Sequence, residues 1–252
     1  VLDKNTIHLG DCLEIMPHIE DKSVDMILCD LPYGTTACKW DVIIPFEPLW
    51  EQYKRIIKDN GAIVLFGSQP FTSMLVMSNL KMFKYEWTWK KSRKTGHFLA
   101  KKQPLKKHEN ILLFSKKSVL YNPQGITSCD IIKKNTEGRL KSNLYGNLKN
   151  KKDHNQIITN YPDTILEFNN EHNINAHPTQ KPVALLEYLI KTYTQENELV
   201  LDNCAGSGST GIACINTNRN YIMIEKEQEY YDIIQKRIKE HIEKDKQLGL
   251  EL

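Results

Sequence analysis

What most constrains this chain is a repeated alternation. Apolar runs too short to be helices are each followed by a polar turn and then a helical pattern. Asn5–Leu9, Val24–Cys29, Ala62–Phe66, Leu199–Leu201 and Tyr221–Ile224 read as strands. Cys12–His18, Pro48–Lys58, Phe71–Leu80, Pro182–Tyr193, Ser209–Asn216 and Glu227–His241 read as helices. The clearest runs, such as VDMILC and AIVLF, are continuously apolar and so suit strands buried on both faces. That pattern predicts an α/β fold, a parallel sheet covered by helices on both sides. Gly61 follows Pro48–Lys58 and is predicted to stop that helix. Tyr85–Trp89 and Asn110–Phe114 read as two final strands, antiparallel to one another. From Ser115 to Ala176, Asn and Lys are the commonest residues and no periodicity is sustained, which predicts an insertion and not a second core.

Two of the strands run into a carboxylate. Val24–Cys29 is followed by Asp30-Leu31-Pro32-Tyr33-Gly34-Thr35, where Pro32 stiffens the backbone beside the acid. Asp and Pro are also ordinary turn formers, so this stretch alone does not decide between a turn and a reactive site. The second carboxylate, Asp202, precedes a glycine-rich turn and a helix start. Gly206, Gly208 and Gly211 satisfy GxGxxG, and Glu225 follows Gly206 by 19 residues at the end of the next strand. Read literally, this is a dinucleotide fingerprint whose acid binds ribose hydroxyls. Asp202, however, would sit beside a pyrophosphate and repel it. A carboxylate there suits a ligand that carries an ammonium group, a ribose and no phosphate. S-adenosylmethionine (SAM) is such a ligand and is favoured over NAD. In an open α/β sheet both acids would lie at the carboxyl edge, where ligands bind.

The net charge of +3 hides an asymmetry. Lys81–Lys117 holds 12 basic and 2 acidic residues, against 6 and 11 in the first 80 positions and 9 and 12 from His177 onward. Trp87, Trp89, His97 and Phe98 are interleaved with this basic stripe, as expected of a surface that handles both phosphates and bases. Lys90, Lys91, Arg93 and Lys94 are the candidate phosphate contacts. No run approaches the ~18 apolar residues of a membrane span, and no signal peptide is read, so a cytoplasmic protein is expected. The six cysteines form no CxxC pair and no His/Cys set at metal spacing. Cys12, Cys29 and Cys214 are expected to be small buried hydrophobes, with no metal bound.

Taken together, these stretches resemble the β-class of DNA amino-methyltransferases. The family's Asp-Pro-Pro-Tyr catalytic motif is matched by Asp30-Leu31-Pro32-Tyr33, with Leu31 in place of a proline. Its cofactor motif, similar to Asp-Pro-Phe-x-Gly-Ser-Gly, is matched by Asp202-Asn203-Cys204-Ala205-Gly206-Ser207-Gly208, with Cys204 in place of a phenylalanine. His177-Pro178-Thr179-Gln180-Lys181-Pro182 matches the segment that precedes it, and Gly10-Asp11-Cys12 resembles the adenine-side element. The resemblance implies a Rossmann-like SAM-dependent methyltransferase sheet with circularly permuted motif order: a catalytic half over 1–114, a target-recognition insertion over 115–176 and a SAM-binding half over 177–252.

The resemblance also implies roles. Asp30, Leu31, Pro32 and Tyr33 would be catalytic, with Asp30 and the Leu31 carbonyl accepting the hydrogens of a base amine. Tyr33 would offer its ring to an extruded base. Asp11, Cys12, Asp30, His177, Thr179 and Lys181 would contact SAM, as would Asp202, Cys204, Gly206, Ser207, Gly208, Ser209 and Glu225. The implied substrate is double-stranded DNA in a bacterial, phage or mobile-element setting, possibly within restriction-modification, and the resemblance leaves room for a homodimer. Adenine N6 is preferred as target because cytosine enzymes more often carry Ser in place of Asp30. Cytosine N4, an RNA substrate and a catalytically silent nucleic-acid-binding subunit stay open at this point.

Overall fold

The computed structural model describes residues 1–36, 38, 40–128, 157–170, 180–247 and 249. The larger unit comprises 1–122 and 164–252, and a small unit covers 123–163. In chain order the elements are β1 (Thr6–Leu9), α1 (Cys12–Ile15, running on as a 3-10 turn to His18), β2 (Val24–Cys29), α2 (Phe46–Ile56), β3 (Ile57–Gly67), α3 (Phe71–Ser78), β4 (Phe83–Thr95) and β5 (Lys106–Phe114). Then come β6 (Thr127–Ser128), β7 (Ile158–Thr159), β8 (Ile165–Phe168), α4 (Val183–Tyr193), β9 (Leu199–Asp202), α5 (Ser209–Asn216), β10 (Asn220–Glu225) and α6 (Gln228–Gln247). In the small unit, β6 and β7 pair antiparallel.

The larger unit is built on an eight-stranded sheet in the order β1-β10-β9-β2-β3-β5-β4-β8. β1, β10, β9, β2 and β3 are parallel. β5 runs antiparallel to both β3 and β4, as the sequence predicts for the last pair. Side chains alternate between two cores. Met26, Leu28, Val64, Val200 and Met223 face one core, with Leu186 of α4 and Ile234 of α6. Ile27, Cys29, Leu65, Leu201 and Ile224 face the other, with Tyr53 of α2 and Phe71 of α3. Burial on both faces is why these strands read as continuous apolar runs.

The chain leaves β2 toward β3 and leaves β9 toward β10, in opposite directions along the sheet. Adjacent β2 and β9 therefore mark the point where strand order reverses, where open α/β sheets form ligand crevices. Asp202 is the last residue of β9, and Asp30 directly follows β2.

Two expectations about the sheet need correction. Gly61 does not stop a helix: α2 ends at Ile56, and Gly61 lies inside β3. The β2–β3 register shifts between Val24↔Ile57 and Met26↔Ala62. A Cβ on Gly61 would come within 2.8 Å of the Asp25 carbonyl oxygen, so the bulge requires glycine. Trp87 and Trp89 do not present rings to solvent. They are only 4 % and 1 % exposed, and their indole nitrogens donate to Tyr193 Oη (2.6 Å) and the Phe168 carbonyl (3.0 Å).

Candidate active site

A cavity of about 350 Å³ opens at the reversal point, within the ~300–1,000 Å³ range of small-molecule sites. Asp30 through Tyr33 lines it on the β2 side, and Asp202, Cys204, Gly206, Ser207 and Ser209 line it on the β9 side. Asp11, Cys12, Lys181 and Glu225 complete the wall among the expected residues. Gly208 is absent from the lining. It caps α5 at φ +78, where a Cβ would meet Ile234 at 2.8 Å, so its place is structural. His177 and Thr179 lie outside the described residues, as does most of the 115–176 insertion.

The Asp30 carboxylate is held on both sides. Tyr33 Oη donates to Oδ1 at 2.7 Å. The Lys181 ammonium bonds Oδ2 and lies 3.3 Å from Glu109 Oε2. Lys181 is only 7 % exposed, and its Nζ sits 5.1 Å from the Phe66 ring centroid. Burial alone would lower the Lys181 pKa, but Asp30 and Glu109 more than offset it and hold the group above its ordinary value. Glu109 is the mirror case: burial would raise its carboxyl, yet the Lys181 and Lys91 ammoniums keep it below the usual range. Lys181, expected to touch the cofactor, is thus tied to the Asp30 side of the same cavity. Burial, the Asp30 charge and the bond to Asp30 push the Tyr33 phenol well above its usual pKa, so it stays a donor. The Tyr33 ring stacks on Phe71 at 5.0 Å between centroids.

The loop after Tyr33 has its own anchor. The amides of Gly34, Thr35 and Thr36 donate to Asp41 at 2.7–2.9 Å. Burial would raise the Asp41 carboxyl, but the Thr36 side chain and these amides hold it low. Gly34 sits at φ +65, a conformation that favours glycine.

On the cofactor-expected side, Asp202 is buried and accepts from Thr210 Oγ1 (2.5 Å) and the Cys204 amide (3.1 Å). Burial raises its pKa to about 6 despite those bonds. Glu225 accepts from the amides of Gly206 (2.7 Å) and Glu227 (2.9 Å), fixing the glycine turn, and burial pushes its pKa up as well. Cys12, Cys29 and Cys204 share thiol contacts; bonds from Cys12 and Cys29, with burial, drive the Cys204 pKa far up. Among the described residues no group of three His, Cys, Asp or Glu side chains is placed to hold a metal ion. Tyr53 Oη donates to Asn203 Oδ1 at 2.6 Å, pinning the turn to α2. Ser209 Oγ is buried with no hydrogen-bond partner among the described residues, at a position that lines the cavity.

The basic stripe divides. Lys90, Arg93 and Lys94 are exposed, Lys90 in a surface pair with Glu167 at 2.7 Å. Lys91 is corrected: its side chain is 12 % exposed and pairs with Glu109, so it faces inward and is not a phosphate contact. Glu109 is the main residue that the sequence reading missed. Its signal was present, because it is one of only two acids in the basic stripe. Lys91 carried a signal too, since alternation along β4 puts residue 91 on the face of Trp87 and Trp89.

The model of the N6/N4 DNA methylase family matches residues 24–236. The chain is 31 % identical over 265 aligned positions to the type II methyltransferase M2.MboI of Moraxella bovis, covering 94 % of this chain and 89 % of that protein. The crystal structure of an M1.HpyAVI–SAM complex superimposes with a TM-score of 0.63 at 25 % identity, over 92 % of this chain and 98 % of that one. PvuII DNA methyltransferase, described as cytosine-N4-specific, shares the fold with a TM-score of 0.68 at 16 % identity, over 93 % and 86 % of the two chains.

Proposed function

This chain belongs to the N6/N4 DNA methylase family, and on that premise we propose that it is a SAM-dependent, site-specific methyltransferase acting on adenine N6 of double-stranded DNA. The observation that carries the reading is the pairing of Asp30 and Asp202 at the ends of adjacent strands, in one cavity, at the point where strand order reverses.

The residues of the cavity fit SAM. Asp202 offers a buried negative charge to an ammonium, Glu225 stands at the strand end suited to ribose hydroxyls, and Ser209 Oγ is an unused polar group. When bound, the cofactor supplies an electrophilic sulfonium methyl. Gly206, at φ +54 with nothing within 4 Å of a built Cβ, keeps its turn open to a close ligand.

Asp30 and the Leu31 carbonyl accept hydrogen bonds from the two N–H groups of the target amine. Its nitrogen thereby becomes tetrahedral and its lone pair is freed from the ring. The amine keeps both protons until the acidic methylated ammonium sheds one to solvent. Tyr33 and Lys181 fix the Asp30 carboxylate before substrate arrives, so little reorganisation is needed during reaction. The positive charge that develops on nitrogen is stabilised by Asp30. The Tyr33 ring, backed by Phe71, provides a rigid face for the extruded base. The 115–176 segment reads the target sequence. Asp at position 30 supports adenine over cytosine N4.

Single-turnover transfer of labelled methyl from SAM to duplex DNA tests the reading, with digestion to nucleosides and chromatography. Label in N6-methyladenine is expected. Label in N4-methylcytosine would overturn the target, and no transfer to any DNA would overturn the activity.

A further inference from the structure

Phe98 is more exposed than any other large apolar side chain among the described residues, at 105 %. It sits in a one-turn 3-10 segment, His97–Leu99, at the tip of the β4–β5 hairpin, behind Gly96 at φ +86. The neighbouring Leu99 is 44 % exposed. Neither side chain belongs to either hydrophobic core. Phe98 and Leu99 together make an apolar tip that packs into neither core, and the charge around that tip, not its exposure alone, points to a partner.

The hairpin carries that ring past the reaction edge of the sheet. Cys29 is level with Leu65 and Leu65 with Leu112, so Asp30 is level with Ile111 of β5. β5 runs antiparallel to β3, and its first residues therefore extend past the carboxyl edge where Asp30 sits. From Ile111 to Lys106, which pairs with Thr95, is five residues, or roughly 17 Å of strand at ~3.4 Å per residue. The tip projects beyond the reaction edge by a distance comparable to the width of a double helix.

The charge on the hairpin selects the partner. No acidic residue occurs between Lys90 and His108. Lys94 on the outgoing arm, Lys101 and Lys102 behind the turn, and Lys106 and Lys107 on the returning arm are all exposed. An apolar ring raised on a cationic stalk suits a polyanion whose interior is apolar and stacked, which describes duplex DNA. We infer that Phe98 is a wedge that enters the base stack beside the target nucleotide, while the lysines hold the flanking phosphates. Insertion of the ring compensates the stacking lost when the base is extruded toward Asp30.

The inference rests on the DNA-methylation reading, and its test separates the two. The site is first mapped by locating methylated bases in plasmid DNA from cells that express the wild-type chain. Single-turnover methylation is then measured on a matched duplex carrying that site and on one whose target base faces an abasic position. Phe98→Ala should slow the matched duplex at least ~tenfold yet stay within about threefold of wild type on the abasic-opposed duplex, where extrusion is already easy. Phe98→Trp should keep the matched rate, and SAM affinity should be unchanged in both variants. Equal rates for Phe98→Ala and wild type on the matched duplex would overturn the wedge alone. An equal loss on both duplexes would also overturn it, in favour of a plain surface contact. A change of sedimenting mass on Phe98→Ala without DNA would assign the tip to a second copy of the chain. A wild-type chain that leaves no methylated base would overturn the methylation reading itself, and the wedge with it.

Discussion

Lys181 and Asp30, separated by 151 residues in sequence, form an ion pair inside the cavity, with Lys181 also 3.3 Å from Glu109. The pair joins the segment before α4 to the end of β2. It makes the Asp30 geometry depend on Lys181, from the segment before α4, and on Glu109 of β5. Removing one partner of a buried ion pair leaves the other charge uncompensated, at a cost of about 3–5 kcal/mol. Lys181→Met should accordingly lower the melting temperature and the methylation rate together. Glu109→Gln should cost less stability in that background than it does alone, because the attraction of Glu109 to Lys181 is already lost and only its pair with Lys91 is left to break. Thermal melts of both single variants and the double variant check this; strictly additive effects would show that the two groups do not interact.

The Asp30 effect itself should lie in the chemical step. Losing a preorganised charged acceptor costs ~2.7–4 kcal/mol, on the order of 10²–10³ in rate, by comparison with oxyanion-site deletions. Asp30→Ala should lose nearly all single-turnover methylation while still binding DNA. Isothermal titration should find its SAM affinity altered far less than that of an Asp202 variant. A near wild-type rate would return Asp30 to the role of an ordinary turn former.

Tyr33 has two separable parts, a ring stacked on Phe71 and a hydroxyl bonded to Asp30. From the sequence its ring is assigned to an extruded base, and the structure adds the hydroxyl bond to Asp30, which no local pattern announces. A hydrogen bond to a charged group contributes roughly 1.5–3 kcal/mol. Tyr33→Phe should therefore lose about tenfold or more in kcat with KM for DNA little changed. Tyr33→Ala should lose more, and should raise KM for DNA as well. Identical kinetics for the two variants would mean that the ring contributes nothing.

What the sequence revealed and what it hid follow from the range of the interactions. β2, β3, β9 and β10 were legible because burial on both faces leaves an apolar run that needs no knowledge of neighbours. Asp30 and Asp202 were legible because each terminates such a run. Glu109 and Lys91 left only weak local signals, because their burial depends on β4 pairing with β5 and on Lys181 arriving from far along the chain. Local composition made the stripe from Lys81 to Lys117 look uniformly solvated. Gly61 was misread for a similar reason: the close approach it relieves is to Asp25, on another strand.

That division of the stripe has a consequence in salt titrations. Neutralising Lys90, Arg93 and Lys94 together should flatten the slope of log affinity against log salt by up to ~3 × 0.9 units. Lys91→Met should leave the slope unchanged and instead lower stability, since it strips Glu109 of a partner. Fluorescence anisotropy on a labelled duplex across a salt series checks both. A change in slope for Lys91→Met would place its charge on DNA after all.

Asp202 should give SAM binding a pH dependence of definite sign. Its folded pKa is about 6, against an ordinary 3.8, because burial disfavours the carboxylate. Above about pH 6 the group is ionised and ready to meet an ammonium. As pH falls through 6, binding must first displace a proton, and SAM affinity should decline by up to tenfold per unit. Stability of the unliganded protein has the opposite sign. A raised carboxylate pKa makes the ionised group a cost to folding, so this contribution becomes more favourable between about pH 6 and 3.8. Asp202→Asn should weaken SAM at least tenfold at pH 8, about 1.4 kcal/mol, and should remove most of the decline below pH 6. Calorimetric titrations of both proteins from pH 5 to 8, about one unit below the midpoint to about two above it, decide the matter. An Asp202→Asn curve parallel to that of the wild type would show that another group governs the pH response.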